Sequence, residues 1–489
     1  MKLIMAGTQP FLLLHLLLLL CCSHMSSCRG DPSSHHHVFD IQSLLPAITC
    51  TGGGPHHDQG LHSEGSSSMR ISHRLSPCSP LGGRLDDQSP TPTDLLHGDR
   101  FRVEFLQTRH KLSSSSNNNP TSSPHDMVNS IKLATLPATG GRAFGVGGYV
   151  VTVGYGTPKK NQTVIFDTGS DVSWIQCKPC VNTCFRQREP LFDPSESSSY
   201  RNISCGAPEC AALTSRICSS NTCLYRVRYG DNSTTKGFLA RETLTLTPSD
   251  VVENFVFGCG QNNSGLFGTT AGILGLGRGN LSLVSQTNGT FGGNFSYCLP
   301  SSSSNKTGHL TLGAVTRATN NNISYTPLNP NLETFYYLDL VGISVGGRIL
   351  PINATVFSNA GTIIDSGTVI TRLPSSAYAA LRSAFRSGMS AYNSTTPSSS
   401  LLDTCYDFTG INNKVMVPNI VFHFNGGADM EVDVSGILYV ESASRICLAF
   451  AGNKDDTSLG IIGSVQQRNL EVVYDTRAGR VGFGPGSCA

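Results

Sequence analysis

The sequence predicts an all-β protein, mainly strands with a few short helices, folded as two similar lobes around a shared cleft. Three observations carry this. Charged residues make up only 14% of 489 positions, glycine is abundant at 51, and few stretches show helical periodicity, a composition that suits strands broken by many turns. Alternating apolar runs end repeatedly in glycine-containing turns. Finally, one arrangement occurs twice: Val164-Ile165-Phe166-Asp167-Thr168-Gly169-Ser170 is echoed by Thr362-Ile363-Ile364-Asp365-Ser366-Gly367-Thr368, 198 positions later.

Taken in order, the chain opens with Met1-Lys2 and a leucine-rich block over Phe11–Cys22. This reads as the charged and hydrophobic parts of a signal peptide ending near residue 27, too short for a transmembrane span. Residues 28–143 are rich in Ser, His, Pro and Asn, with runs such as His35-His36-His37 and Ser113–Asn119. They read as a removable, largely low-complexity prosegment, with the histidine run expected to be unstructured. One helix is expected there, over Asp94–Leu112, where Leu95, Leu96, Phe101, Val103, Phe105 and Leu106 interleave with charges. The expected processing point lies between Lys132 and Phe144.

From Phe144 the texture changes to strands. Gly148–Tyr155 alternates and breaks at Gly156-Thr157-Pro158, and Thr163–Phe166 delivers Asp167. Tyr225–Tyr229 followed by Gly230-Asp231-Asn232-Ser233 reads as a hairpin with an aromatic at its shoulder. Ala271–Gly277 is an apolar strand meeting glycine. In the second half Tyr336–Val345 alternates, Gly361–Ile364 delivers Asp365, and Leu459–Gly463 echoes Gly272–Gly275. Ser375–Met389 is the best helix of this region, with Tyr378, Leu381, Ala384 and Phe385 at helical spacing. The expected lobes are 144–320, carrying Asp167, and 321–489, carrying Asp365.

Charge and cysteine narrow the function. A net charge of +2 and the absence of a basic run argue against a nucleic-acid binder. Of 17 cysteines, five (Cys21, Cys22, Cys28, Cys50 and Cys78) precede residue 140. The other twelve are Cys177, Cys180, Cys184, Cys205, Cys210, Cys218, Cys223, Cys259, Cys298, Cys405, Cys447 and Cys488. That even number fits up to six disulfides in an oxidising compartment, without fixing the pairing. A zinc reading of Cys177, Cys180 and Cys184 is disfavoured, because no histidine pair follows at finger spacing. Eleven Asn-x-Ser/Thr sequons, among them Asn161, Asn232 and Asn280, favour the secretory route. Neither a metal nor a cofactor is expected.

The duplicated acid turn is the chemical signal. Two carboxylates held about 3 Å apart cannot both ionise, so one keeps its proton while the other stays charged. Such a pair supplies base and acid together and can activate a water against a carbonyl. The glycines permit close backbone approach, and the hydroxyls can orient the carboxylates.

On these residues, across about 145–489, the sequence resembles the pepsin-like aspartic endopeptidases. Within them it is most similar to the plant group of nepenthesins, nucellin-like proteins and a chloroplast-nucleoid DNA-binding protease. The resemblance implies a bilobal fold with an inter-lobe active-site cleft and polypeptide substrates cleaved at bulky apolar residues; nothing in the sequence demands more than a monomer. It implies that Asp167 and Asp365 are the catalytic pair and that Thr168 and Ser366 interlock the lobes. Ser170 and Thr368 would bond the outer carboxylate oxygens, Tyr229 would be the flap tyrosine and Trp174 its support. The Cys-rich stretch 177–223 resembles the insertion of the plant group. Asn232 departs from the glycine usual in the flap and begins a sequon. Non-catalytic binders share this fold, but typically lose an acid or the flap tyrosine, and this chain keeps all three. The implied location is the apoplast or vacuole, with the chloroplast as the alternative that the nucleoid-protease resemblance raises.

Overall fold

The computed structural model describes residues 35–51, 66–81, 92–116 and 148–488, except 230–232, 266, 314–321, 331–334, 412–413, 443 and 487. The leader, the processing region and Asn232 lie outside the described residues. What is described is mostly strand, as the composition and the alternation predict.

The first acid is delivered by β4 in a three-strand arrangement. β3 (Tyr149–Tyr155) pairs antiparallel with β4 (Lys160–Asp167). β5 (Trp174–Gln176) and β8 (Val251–Ser264) follow, with β6 (Thr222–Arg228) and β7 (Thr234–Thr245) between them in the chain. β9 (Gly272–Gly275) then runs parallel to β4, setting Gly275 beside Asp167, and antiparallel to β5. Val164, Ile165 and Phe166 are fully buried, so apolar burial on both faces fixes the strand that ends in the acid. A side chain at Gly275 would run into the backbone oxygens of Ser170 and Asp171, so only glycine lets β9 pass this close to the turn.

β10 (Asn294–Cys298) and β11 (Gly308–Gly313) complete the first half. The second half repeats the device. β12 (Thr362–Ile364) runs parallel to β15 (Gly460–Ile462), which is antiparallel to β13 (Thr371–Leu373). The two apolar-apolar-glycine stretches matched in the sequence are therefore equivalent neighbours of the two acid strands. Between them α2 (Ser375–Gly388) packs Ala377, Tyr378, Leu381 and Phe385 inward. β14 is Val415–Pro418, and β16 (Leu470–Asp475) joins β10 in the sheet that runs between the halves.

The region ahead of residue 140 differs from the low-complexity reading. β1 (His36–Phe39) pairs with β14, so the histidine run, expected to be unstructured, is ordered by a strand partner from the second half. β2 (Ser66–His73) lies between β11 and β3 in the large sheet, hydrogen-bonded on both sides. Ile71 is fully buried and Met69 nearly so. Neither strand was predicted, because β1 has its partner, and β2 one of its two partners, hundreds of residues away. The predicted helix is present as α1 (Pro92–Ser116).

The twelve cysteines named from the sequence form six disulfides: 177–259, 180–184, 205–218, 210–223, 298–488 and 405–447. A seventh, Cys50–Cys78, closes the early region on itself. Cys298–Cys488 spans 190 residues and ties the chain end to β10.

Because β2 is an inner strand, shortening Ile71 should destabilise the whole chain and not only its own segment. Ile71→Ala is expected to lower the unfolding free energy of the full chain by about 2–5 kcal/mol. Urea unfolding near pH 7 checks this, and an unchanged midpoint would contradict the placement.

Candidate active site

The two acid turns meet face to face. The Thr168 N–H donates to Ser366 Oγ at 3.0 Å, and the Ser366 N–H donates to Thr168 Oγ1 at 2.9 Å. This reciprocal pair joins the halves with two buried hydrogen bonds that neither could form alone. Each acid is then fixed in the same way. The Gly169 N–H donates to Asp167 Oδ1 at 3.0 Å, and the Gly367 N–H to Asp365 Oδ1 at 3.1 Å. Ser170 Oγ donates to Asp167 Oδ2, and Thr368 Oγ1 to Asp365 Oδ2 at 2.5 Å. The glycines are required by crowding: a Cβ on Gly169 would lie 2.7 Å from Asp365 Oδ1, and one on Gly367 would clash with Asp167 Oδ1.

Tyr229 and Trp174 also come together. Trp174 is fully buried, and its indole N–H donates to Tyr229 Oη at 2.8 Å. Phe267 packs edge-on against both rings, at 4.9 Å from Trp174 and 5.5 Å from Tyr229. Arg228 pairs with Thr234 across the hairpin, and the Tyr229 N–H donates to the Ser233 carbonyl at 2.8 Å. This places the tyrosine at the shoulder of the turn, where the sequence puts it.

The structure adds a component absent from the sequence-based site. α1 lies across the acid pair, and Arg102 enters between the carboxylates. Its Nε donates to Asp365 Oδ2 at 2.9 Å and its Nη1 to Asp167 Oδ2 at 3.0 Å. Nη2 reaches Asp167 Oδ1 at 2.6 Å and Asp365 Oδ1 at 2.9 Å. All four carboxylate oxygens are engaged by one guanidinium, whose planar fork suits this bidentate geometry. One turn earlier, Asp99 is buried and accepts from the Val369 and Ile370 N–H groups and from Arg372 Nη2 at 2.8 Å.

Apolar contacts complete the docking. Leu96 joins Val369, Ile370, Leu402, Tyr439 and Val465, while Val103 and Leu106 join Phe335, Tyr337 and Ile363. Towards the helix end Arg109 stacks on Phe335 and pairs with Asp171 at 3.4 Å. Residues 95–96, 99, 102–103 and 106 thus form one buried face. A signal was available in the sequence: Asp99 and Arg102 fall on the same helical stripe as the leucines, where exposed charges do not belong.

Electrostatics explain why a cation sits here. Burial pushes the Asp167 carboxyl up; Arg102 opposes this, the Asp365 charge adds to it, and the net direction is upward. Burial also pushes Asp365 up, but the charge and hydrogen bonds of Arg102, with those of Thr368 and Gly367, outweigh it and hold Asp365 below the ordinary range. Burial opposes the charge on Arg102, yet the two carboxylates more than compensate, and its ionisation is raised.

Comparison with known proteins places the chain in a family. The xylanase inhibitor N-terminal family profile matches residues 149–314, and the corresponding C-terminal profile matches 335–485. An aspartyl protease family protein of Arabidopsis thaliana is 45% identical over 98% of this chain and 99% of its own. The chain belongs to the plant aspartyl protease family. Aspartyl protease AED1 of the same plant is 44% identical, over 99% of this chain and 100% of the relative. Nepenthesin-1 of Nepenthes gracilis is 39% identical, over 70% of this chain and 79% of its own. Among solved structures, basic 7S globulin from soybean aligns with a TM-score of 0.54 at 21% identity, covering 70% of this chain and 92% of that one. Conglutin gamma from lupine seeds gives 0.55 at 20%, with the same coverage. These two share the bilobal fold. The chain is an aspartic-type peptide hydrolase by its family, and no helix among the described residues is long and apolar enough to cross a membrane.

The pH dependence of α1 docking follows from the two carboxyls. Asp365, held low, lends stability that is present above the ordinary carboxylate range and lost as pH falls through its lower, docked value. Asp167 is pushed up by burial but pulled down by Arg102, so departure of α1 removes that pull, and proton uptake at Asp167 also favours the undocked form. Amides of residues 95–108 should therefore be protected from hydrogen exchange near pH 7 and lose that protection progressively below about pH 4. Protection unchanged at pH 3, after correction for intrinsic rates, would contradict this.

Proposed function

We propose that the protein is an aspartic endopeptidase made as a zymogen, in which Asp167 and Asp365 activate a water between them once α1 has left. The observation that carries this reading is the meeting of the two acid turns, with Arg102 standing where the reacting groups would lie. In the working enzyme one carboxyl is protonated and the other ionised. The ionised acid draws a proton from the water as it attacks the peptide carbonyl. The protonated acid donates to the carbonyl oxygen, and a proton then passes to the departing amine, so the pair returns to its starting charge. Ser170 and Thr368 hold the outer oxygens and keep the inner ones facing the water.

An acid optimum belongs to the same reading, because the dyad must hold one proton and because acidification loosens α1. Tyr229, held by Trp174, would close over the substrate from the hairpin. Residues 1–27 would be the signal peptide and 28–143 the prosegment, with lobes at 144–320 and 321–489. The seven disulfides and the sequons support a secreted or vacuolar protein acting as a monomer on polypeptides with bulky apolar residues. The reading as a silent binder or inhibitor of the same fold is weakened by the retention of both acids with their complete hydrogen-bond shells. The plastid DNA-associated reading is weakened by the near-zero net charge.

Asp167→Asn and Asp365→Asn are each expected to lower hydrolysis of a denatured protein by about a thousandfold or more in the acid-treated product. Substantial activity retained by both would sink the assignment, and no activity from a folded, processed wild type would favour the binding reading. In the full chain, Arg102→Ala should leave two buried carboxylates without their counter-ion and so give activity without prior acid treatment. Latency equal to the wild type's would show that α1 blocks the cleft without help from Arg102.

A further inference from the structure

Asp99 occupies a position that the enzyme keeps after α1 departs. Three donors converge on its carboxylate: the N–H groups of Val369 and Ile370 and the Arg372 guanidinium. All three belong to the segment that begins at Asp365 and follows Thr368, so they are part of the acid turn and its continuation into β13. Arg372 is itself pinned, donating through Nη1 to the Ile370 carbonyl at 2.7 Å. It is 3% exposed, and among the described residues Asp99 is the carboxylate it pairs with.

When α1 leaves, these donors lose their acceptor together. Two backbone N–H groups and a preoriented guanidinium would then face the cleft beside an apolar wall of Ile370, Leu402 and Tyr439. Groups of this kind are costly to leave unmatched out of bulk water, and a guanidinium pinned by a carbonyl loses little freedom on binding. Burial opposes the charge on Arg372 and the Asp99 carboxylate offsets part of that cost, so the guanidinium is better accommodated with an anion beside it than without one.

The spacing on α1 locates the donors relative to the chemistry. Asp99 and Arg102 are three residues apart, about 4.5 Å along a helix axis, and Arg102 lies on the dyad. An extended substrate advances about 3.3 Å per residue, so a side chain reaching the donors sits within roughly three residues of the scissile bond.

We infer that Val369, Ile370 and Arg372 form a subsite for an acidic side chain of the substrate, with Arg372 as a specificity-determining residue that Asp99 occupies in the latent chain. The inference rests on the endopeptidase reading and names a substrate preference for that same cleft.

The test uses the acid-treated full-length product and a set of peptides with one fixed scissile bond and amidated C-termini, so that only side-chain carboxylates vary. Glu is placed in turn at each of four positions on either side of that bond, each paired with its Gln counterpart. At one position, Glu is expected to be cleaved with about tenfold higher kcat/KM than Gln at pH 5 to 6. That ratio should fall towards one below about pH 4, as the substrate carboxyl takes up its proton. In Arg372→Met the ratio at the same position should collapse to near one at every pH. The wild-type peptide walk stands alone if that variant does not fold. Cleavage of the Gln peptides with no position discriminating Glu from Gln would overturn the inference and leave the endopeptidase reading intact. A preference that survives Arg372→Met would assign the acidic subsite elsewhere and overturn the role of Arg372. Cleavage of none of the peptides would overturn both.

Discussion

Two carboxylates that share a buried space must be joined by a proton or a cation, and the rest of this structure is arranged around that constraint. In the docked chain the cation is Arg102, engaging all four oxygens. In the proposed working enzyme it is a proton, with a water in place of the guanidinium. Burial raises the Asp167 carboxyl and opposes the charge on Arg102, and the two carboxylates outweigh that cost and keep the guanidinium charged; with α1 gone, the same burial would let the bare pair act as acid and base. Latency and catalysis thus become two occupancies of one electrostatic site.

Placing the acids there requires the duplicated three-strand device. The two strands, buried among apolar residues, carry Asp167 and Asp365 to a surface where the two halves meet. The reciprocal Thr168 and Ser366 hydrogen bonds set the spacing between the turns, and glycines at 169 and 367 remove the side chains that would hold them apart. α1 uses the resulting cleft as a ready-made groove. Its leucines fill apolar wall space, while Asp99 and Arg102 answer the two charged features, one on each side of the acid turn that begins at Asp365.

The acid pair was legible in the sequence because it is local and repeated: each motif carries its strand, acid, hydroxyls and glycine within seven residues. Trp174 and Tyr229 were named through resemblance, and the structure joins the two by a hydrogen bond. α1 was visible by its period, but no role was given to its charges, because helical spacing alone does not say which face meets another surface. β1 and β2 were not legible. Their partners, Val415–Pro418 and Gly308–Gly313, are separated from them by hundreds of residues, and a polar Ser- and His-rich strand has no pattern that distinguishes it from loop. Cys50 and Cys78 were set aside with the same region, although they pair with each other.

In the proposed zymogen the cleft between Asp167 and Asp365 is closed by α1 through Arg102 and opens on acidification. This is tested most directly by the affinity of the intact, uncleaved chain for pepstatin, measured by calorimetry near pH 7 and again near pH 4. No detectable binding is expected at neutral pH and tight binding in acid, with Arg102→Ala binding at both. Equal, tight binding by the intact wild-type chain at neutral pH would show that Arg102 does not guard the acid pair, and would contradict the account.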